Sequence, residues 1–347
     1  PGVDYFFEAD PDWDLSTVVT RRNTPLLAPI HTPRGLKHVW ATFSEDQLDL
    51  DFKNPAVLLE FIDILFEYVT HGSRFVRLDA IAFLWKEVGT SSIHLPQTHE
   101  VVQLLRLLLE HYAPGVILLT ETNVPVQENL SYFGNGHEAQ MVYQFGLPPL
   151  LLHALNRGTG KYLTEWAAHI PPTPDGCTYL NFTASHDGIG VRAVEGILPP
   201  HEVADLVDCM HQFGGFVTMR SDANGAETPY EINISLFDAL QGTRRELDQW
   251  QIQRFLCSQT IMLALQGIPA VYFHSLTATP NDRDYLEQTG RLRSINRKKW
   301  QYDELFDLLH SPQTATAIIF EAYKNLCSVR RKQSAFHPNA SQQVLQW

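Results

Sequence analysis

From Asn54 onward the chain alternates short apolar segments with longer amphipathic ones, and this alternation constrains the fold more than any other feature. Asn54-Pro55 marks a helix start: the asparagine side chain can accept from free N–H groups of the first turn, and proline sits where no N–H is missed. Leu58, Leu59, Ile62, Leu65, Phe66 and Val69 then recur at helical spacing, and Gly72 ends the helix. The pattern predicts strands over residues 74–78, 116–120, 140–144, 178–183 and 270–273. It predicts helices over 97–111, 149–156, 251–265 and 316–330. Strands separated by helices imply right-handed βαβ units and a parallel sheet. Strands buried on both faces read as continuous apolar runs, as Val116-Ile117-Leu118-Leu119 does.

Three of these strands run into a carboxylate: Asp79 after 74–78, Glu121 after 116–120, and His186-Asp187 after 178–183. In a parallel α/β barrel all strand C-termini share one rim, where active sites are built, so these residues are expected to converge. Cleaving a glycosidic bond with retention needs two carboxyl groups, one an ionised nucleophile and the other a proton donor. Arg77 lies two residues before Asp79, on the same face of the strand, where its guanidinium would keep Asp79 ionised. His186 could donate to sugar hydroxyls, and Asp187 could brace positive charge in an oxocarbenium-like transition state. Each carboxylate taken alone could equally be a cap or turn residue.

Composition narrows the partners. The net charge of −13 over 347 residues repels nucleic acid, and 44% hydrophobic with 19% charged residues supports a sizeable core. No apolar run reaches the roughly 18 residues of a membrane span, and no signal segment opens the chain. Four scattered cysteines without a CxxC pair fit a reduced, cytoplasmic protein and make a metal site of cysteines improbable.

Phe75-Val76-Arg77-Leu78-Asp79-Ala80, Leu119-Thr120-Glu121 and Ala184-Ser185-His186-Asp187 resemble three of the four short conserved regions of the α-amylase-type glycosidase family. The resemblance implies a (β/α)8 TIM barrel, with Asp79 as nucleophile, Glu121 as acid/base and Asp187 as transition-state stabiliser. Further stretches resemble its sucrose-phosphorylase branch, among them Leu84-Trp85-Lys86-Glu87 and Ser294-Ile295-Asn296-Arg297. Within that branch, Pro229-Tyr230-Glu231-Ile232-Asn233 and Tyr272-Phe273-His274-Ser275-Leu276 look most like glucosylglycerate phosphorylases. Those enzymes use inorganic phosphate as co-substrate, with no metal or organic cofactor, to release glucose 1-phosphate. Relatives act on sucrose, sucrose 6′-phosphate or glucosylglycerol, and hydrolases belong to the same wider family.

The resemblance also implies that Arg297 holds the glucose ring, and that Phe83 and Asn123 shape the acceptor side; Phe83 could instead be core. Arg22 falls where sucrose phosphorylases keep a phosphate-contacting arginine, but Thr20-Arg21-Arg22-Asn23 departs from the usual Arg-Pro-Arg, and a solvated loop arginine is the alternative.

The first conserved region of the family has no counterpart here. The expected barrel is therefore incomplete, about strands 4 to 8. Residues 1–50 would be an inserted small domain, 51–335 the barrel, and 336–347 the start of a C-terminal β domain with a strand at 343–346. Both ends look cut. An unclosed barrel leaves open sheet edges, so the chain alone is expected to be unstable or inactive.

Overall fold

The computed structural model describes residues 2–20, 25–221 and 227–345. Over these the chain divides into two compact units. The first takes in Pro1–Thr122, Gln127–Val142 and Arg220–Ala226, and the second Asn123–Val126, Tyr143–Met219 and Glu227–Trp347.

The first unit carries a hairpin near its start, where no strand was predicted. Strand β1 (Leu27–Thr32) pairs antiparallel with β2 (Gly35–Trp40), Leu27 opposite Trp40 and Thr32 opposite Gly35. Trp40 is buried and meets Phe7 edge-on, with ring centroids 5.5 Å apart. Helix α1 (Pro55–Thr70) starts as expected: the Asn54 side chain accepts from Ala56 N at 3.0 Å, and Gly72 follows the helix at φ +94°. Of its apolar stripe, Leu65 is buried, Leu58, Ile62, Phe66 and Val69 are half-buried, and Leu59 is exposed, while Phe61, Ile64 and Tyr68 lie outside the stripe and are exposed.

Strand β3 (Phe75–Leu78) runs parallel to β4 (Ile117–Thr120), with Leu78 opposite Thr120. Between them helix α2 (Pro96–Tyr112) buries Val101, Val102, Leu105 and Leu109. After the short helix α3 (Val126–Leu130), β5 (Met141–Tyr143) pairs parallel with β4, Thr120 opposite Val142.

In the second unit, helices α4 (Leu147–Arg157) and α5 (Lys161–Ala168) lead to β6 (Thr178–Phe182), which is buried throughout. The chain just before α4 docks on it, Gln144 N donating to Leu180 O at 2.9 Å. Then come β7 (Ile189–Gly190), α6 (Pro200–Gln212), β8 (Phe216–Ser221), β9 (Glu227–Asn233), α7 (Leu236–Ala239) and α8 (Gln251–Ala264). Strand β10 (Ile268–Ala270) pairs parallel with β6, and α9 (Phe273–Leu276), α10 (Arg283–Thr289), α11 (Tyr302–His310) and α12 (Ala315–Arg331) complete the order. Leu147, Leu150, Leu151, Phe255, Met262, Ile319 and Tyr323 belong to its core.

Three differences from the sequence reading stand out. Strand β10 ends at Ala270 and not at residue 273; Gly267 (φ +119°) lets the chain approach β6, because a Cβ there would lie 2.6 Å from Tyr179 O. Strand β9 lies between β7 and β8 in a small separate sheet, where no strand was predicted. Residues 343–345 form no strand.

Candidate active site

The first carboxylate is set by a strained turn. β3 ends at Leu78, Asp79 follows, and Ala80 takes the left-handed conformation (φ 48°, ψ 32°) that residues with a Cβ rarely adopt. The turn continues into a 3-10 segment, with Phe83 N donating to Ala80 O at 3.0 Å. The Asp79 side chain is 73% exposed, and Oδ1 accepts from Arg77 Nη1 at 2.5 Å, the pairing expected from their shared strand face.

Glu121 stands at the end of the neighbouring parallel strand. Its backbone N donates to Leu78 O at 3.0 Å, which extends the β3–β4 ladder by one step. Its carboxylate is largely buried; Oε2 accepts from Ala80 N at 3.0 Å and lies 3.9 Å from Arg77 Nη2. One guanidinium therefore faces both Asp79 and Glu121. Adjacent parallel strands, cut at equivalent register, bring Ala80 and Glu121 together although they are 41 apart in sequence.

Phe83 is 5% exposed and packs edge-on against Phe43 at 5.5 Å. It thus sits in the core alongside the turn. Sequence reasoning missed Lys86, which is buried, donates to Phe83 O at 2.6 Å and pairs with Asp49 Oδ2 at 2.7 Å. Thr42 secures the same Asp49 through its N (3.2 Å) and Oγ1 (2.5 Å). Burial pulls the Lys86 ammonium below its ordinary range, opposed by the charge of Asp49.

A second cluster surrounds Asp187 in the second unit. Arg293 Nη1 donates to Asp187 Oδ1 at 2.7 Å, and Arg297 Nη2 reaches the same oxygen at 3.3 Å. Arg297 Nε also donates to His186 O at 2.5 Å, while Asn296 Nδ2 donates to Ser185 O at 3.3 Å and Asp187 O at 2.9 Å. The Ile-Asn-Arg triplet thus grips the backbone of the His-Asp segment. The His186 ring is 57% exposed, with Nε2 3.6 Å from Asp187 Oδ2.

Glu231 and Arg293 were not singled out as site residues in the sequence. Arg293 Nε and Nη2 donate to the buried Glu231 carboxylate at 2.9 and 2.6 Å. Desolvation works against the Arg293 charge, but Glu231, with Asp187 beyond it, holds the guanidinium well above its ordinary range. The available signal was an arginine four residues before Arg297. Gly188 and Gly190 also find their reason here: a Cβ on Gly188 would lie 2.4 Å from Glu231, and one on Gly190 would lie 2.4 Å from Asn123. Asn123 thus packs directly on β7. Arg22 lies outside the described residues. Among the described residues, no group of three His, Cys, Asp or Glu side chains is placed to hold a metal ion, and no helix is long and apolar enough to cross a membrane.

Residues 37–169 match the alpha amylase catalytic domain, and the chain is similar to phosphorylases of the sucrose-phosphorylase branch. The more similar relatives are particular enzymes of that branch. A glucosylglycerate phosphorylase of Allomeiothermus silvanus is 48% identical over 343 residues, covering 98% of this chain and 62% of its own length. That of Escherichia coli is 41% identical over 342 residues, covering 98% and 61%. The chain therefore spans about six-tenths of the curated relatives it matches. The crystal structure of sucrose 6F-phosphate phosphorylase from Thermoanaerobacter thermosaccharolyticum aligns with a TM-score of 0.82 at 22% identity, covering 96% of this chain and 67% of that one. At that identity the likeness establishes the fold, an incomplete (β/α)8 barrel.

Proposed function

We propose that the chain is the catalytic part of a retaining glycoside phosphorylase, with glucosylglycerate as its substrate. The observation that carries this reading is the joint tethering of Asp79 and Glu121 by Arg77 and the Ala80 amide at the ends of adjacent strands. The substrate choice rests on the 41–48% identity to glucosylglycerate phosphorylases.

In the proposed reaction Asp79 attacks C1 of glucose while Glu121 protonates the departing glycerate oxygen. A glucosyl–Asp79 ester forms with inversion at C1. Phosphate then attacks the same carbon from the opposite side, Asp79 leaves as a carboxylate, and Glu121 takes the proton from the incoming nucleophile. Two inversions give glucose 1-phosphate with the original configuration. Arg77 holds the nucleophile by an ion pair, and Asp187 stabilises the positive charge that develops on the sugar. No metal ion or organic cofactor enters this scheme. Phosphate is a dianion approaching a protein of net charge −13, so an arginine must neutralise it locally, and Arg22 is the proposed one. A cytoplasmic setting, where phosphate and reduced cysteines are both expected, is part of the same proposal.

The test is glucose 1-phosphate release from glucosylglycerate with and without phosphate. Phosphate-dependent glucose 1-phosphate supports the reading. Free glucose at an equal rate in both conditions makes the protein a hydrolase, and preference for sucrose or glucosylglycerol reassigns the acceptor.

A further inference from the structure

Asp187 has two oxygens with different surroundings. Oδ1 accepts from Arg293 Nη1 at 2.7 Å and from Arg297 Nη2 at 3.3 Å, while Oδ2 faces the His186 ring at 3.6 Å, beyond hydrogen-bond length. Arg293 is itself fixed from behind. Its Nε and Nη2 form a fork on Glu231 at 2.9 and 2.6 Å, and the Glu231 side chain is only 3% exposed. A planar guanidinium held by two parallel bonds loses its rotational freedom, so the remaining Nη1 is aimed in one direction. That direction is Asp187 Oδ1.

A buried carboxylate such as Glu231 is costly unless paired, and Arg293 pairs it fully at one edge. The adjoining backbone is shaped for the same contact, because Gly188, next to Asp187, leaves the space that the Glu231 carboxylate fills. The approach of β7 to β9, with Gly190 opposite Glu231 in the ladder, brings these residues together.

We propose that Arg293, braced by Glu231, is a positioning residue that fixes Asp187 through Oδ1 and leaves Oδ2 as the oxygen presented to the sugar. Glu231 then acts through Arg293 and makes no contact with substrate of its own. This inference rests on the reading of Asp187 as transition-state stabiliser. A stabiliser must already point where charge develops, since reorienting it during the reaction would forfeit its contribution.

The experiment is a double-mutant cycle of Arg293→Ala and Glu231→Ala, assayed with glucosylglycerate and phosphate, together with a crystal structure of the Arg293→Ala protein. Loss of one charge-assisted bond to Asp187 should lower kcat about 10- to 100-fold with KM within about threefold, because the bond orients a group that acts on the transition state. Glu231→Ala should lower kcat in the same direction, and the double variant should be no worse than Arg293→Ala alone. Added guanidinium should restore part of the Arg293→Ala rate, and Arg293→Lys should fall between the two because an ammonium cannot fork onto Glu231 and still reach Asp187. In the crystal the Asp187 carboxylate should turn away from its present plane. Additive losses in the cycle, or a kcat unchanged in Arg293→Ala, would overturn the proposal. A wild-type protein that releases no glucose 1-phosphate counts against the phosphorylase reading instead. The crystal still decides the inference in that case, for an Asp187 carboxylate unmoved without Arg293 refutes it.

Discussion

The amide of Ala80 donates to Oε2 of Glu121 at 3.0 Å, so the residue that follows one carboxylate holds the other. Ala80 adopts φ 48° to do so, a conformation that costs a residue with a Cβ about 1–2 kcal/mol. Ala80→Gly keeps the N–H and relieves the strain. It should leave turnover within about threefold, with a melting temperature equal or slightly raised. Ala80→Pro removes the donor and demands a φ near −65°, so turnover should fall by about 100-fold or more. Steady-state rates and melting curves of the two variants check this, and a proline variant with wild-type turnover would show that the Ala80–Glu121 bond is dispensable.

The Asp79–Glu121 pairing was legible because strand-end carboxylates need only the period-2 rule and the parallel topology. Arg77 was legible for the same reason. What escaped were contacts whose partners lie far apart in sequence and carry no local pattern. Arg293 and Glu231 are 62 residues apart, and neither stands at the end of a barrel strand. Lys86 lies in the irregular stretch after the 3-10 turn Ile81–Phe83, where neither helical nor strand periodicity says which way a side chain points. The apolar stripe of α1 set the helix correctly and marked its inward side, with Leu59 as the member that faces outward.

Lys86 should prove a large stability determinant. It is 6% exposed, bonded to Phe83 O, and paired with Asp49 at 2.7 Å. Lys86→Met leaves the Asp49 charge with only Thr42 as a donor, and breaking one side of a buried pair costs about 3–5 kcal/mol. Replacing both charges, as in Lys86→Met with Asp49→Asn, should recover part of that loss. Denaturant unfolding of the single and double variants measures the difference. Equal stability of Lys86→Met and wild type would mean that the pair contributes nothing.

Acid should unfold the protein partly through Glu202. Its carboxylate accepts from Arg157 at 2.8 Å and from His153 at 2.9 Å, joining α4 to α6. Arg157 is the main cause, and with His153 it outweighs burial, bringing the carboxyl from 4.5 down to about 2. Because the folded value lies below the unfolded one, the stabilisation is present above about pH 4.5 and is lost as pH falls towards 2. Unfolding measured between pH 2 and 6 should show that slope in the wild type and a flatter one in Glu202→Gln. An identical slope in both would assign acid sensitivity elsewhere.

Gly188 should be intolerant for a steric reason alone. Its backbone φ is outside the left-handed region, so alanine has no conformational objection. The obstacle is Glu231: a Cβ on residue 188 would sit 2.4 Å from its Cγ and 2.6 Å from Oε1. A surface glutamate would swing aside cheaply, but this one is clamped by two bonds from Arg293, and moving it breaks both. Gly188→Ala should therefore cost about 1–3 kcal/mol of stability, the usual range for overpacking. It should also slow turnover by pushing Arg293 off Asp187. Adding Glu231→Ala to Gly188→Ala removes the clash, so the stability of the double variant should exceed that expected from summing the two single losses. Thermal unfolding of the four proteins decides it. Strict additivity would mean that the clash relaxes without disturbing Glu231, and the close approach of these two residues would then carry no weight in holding the site.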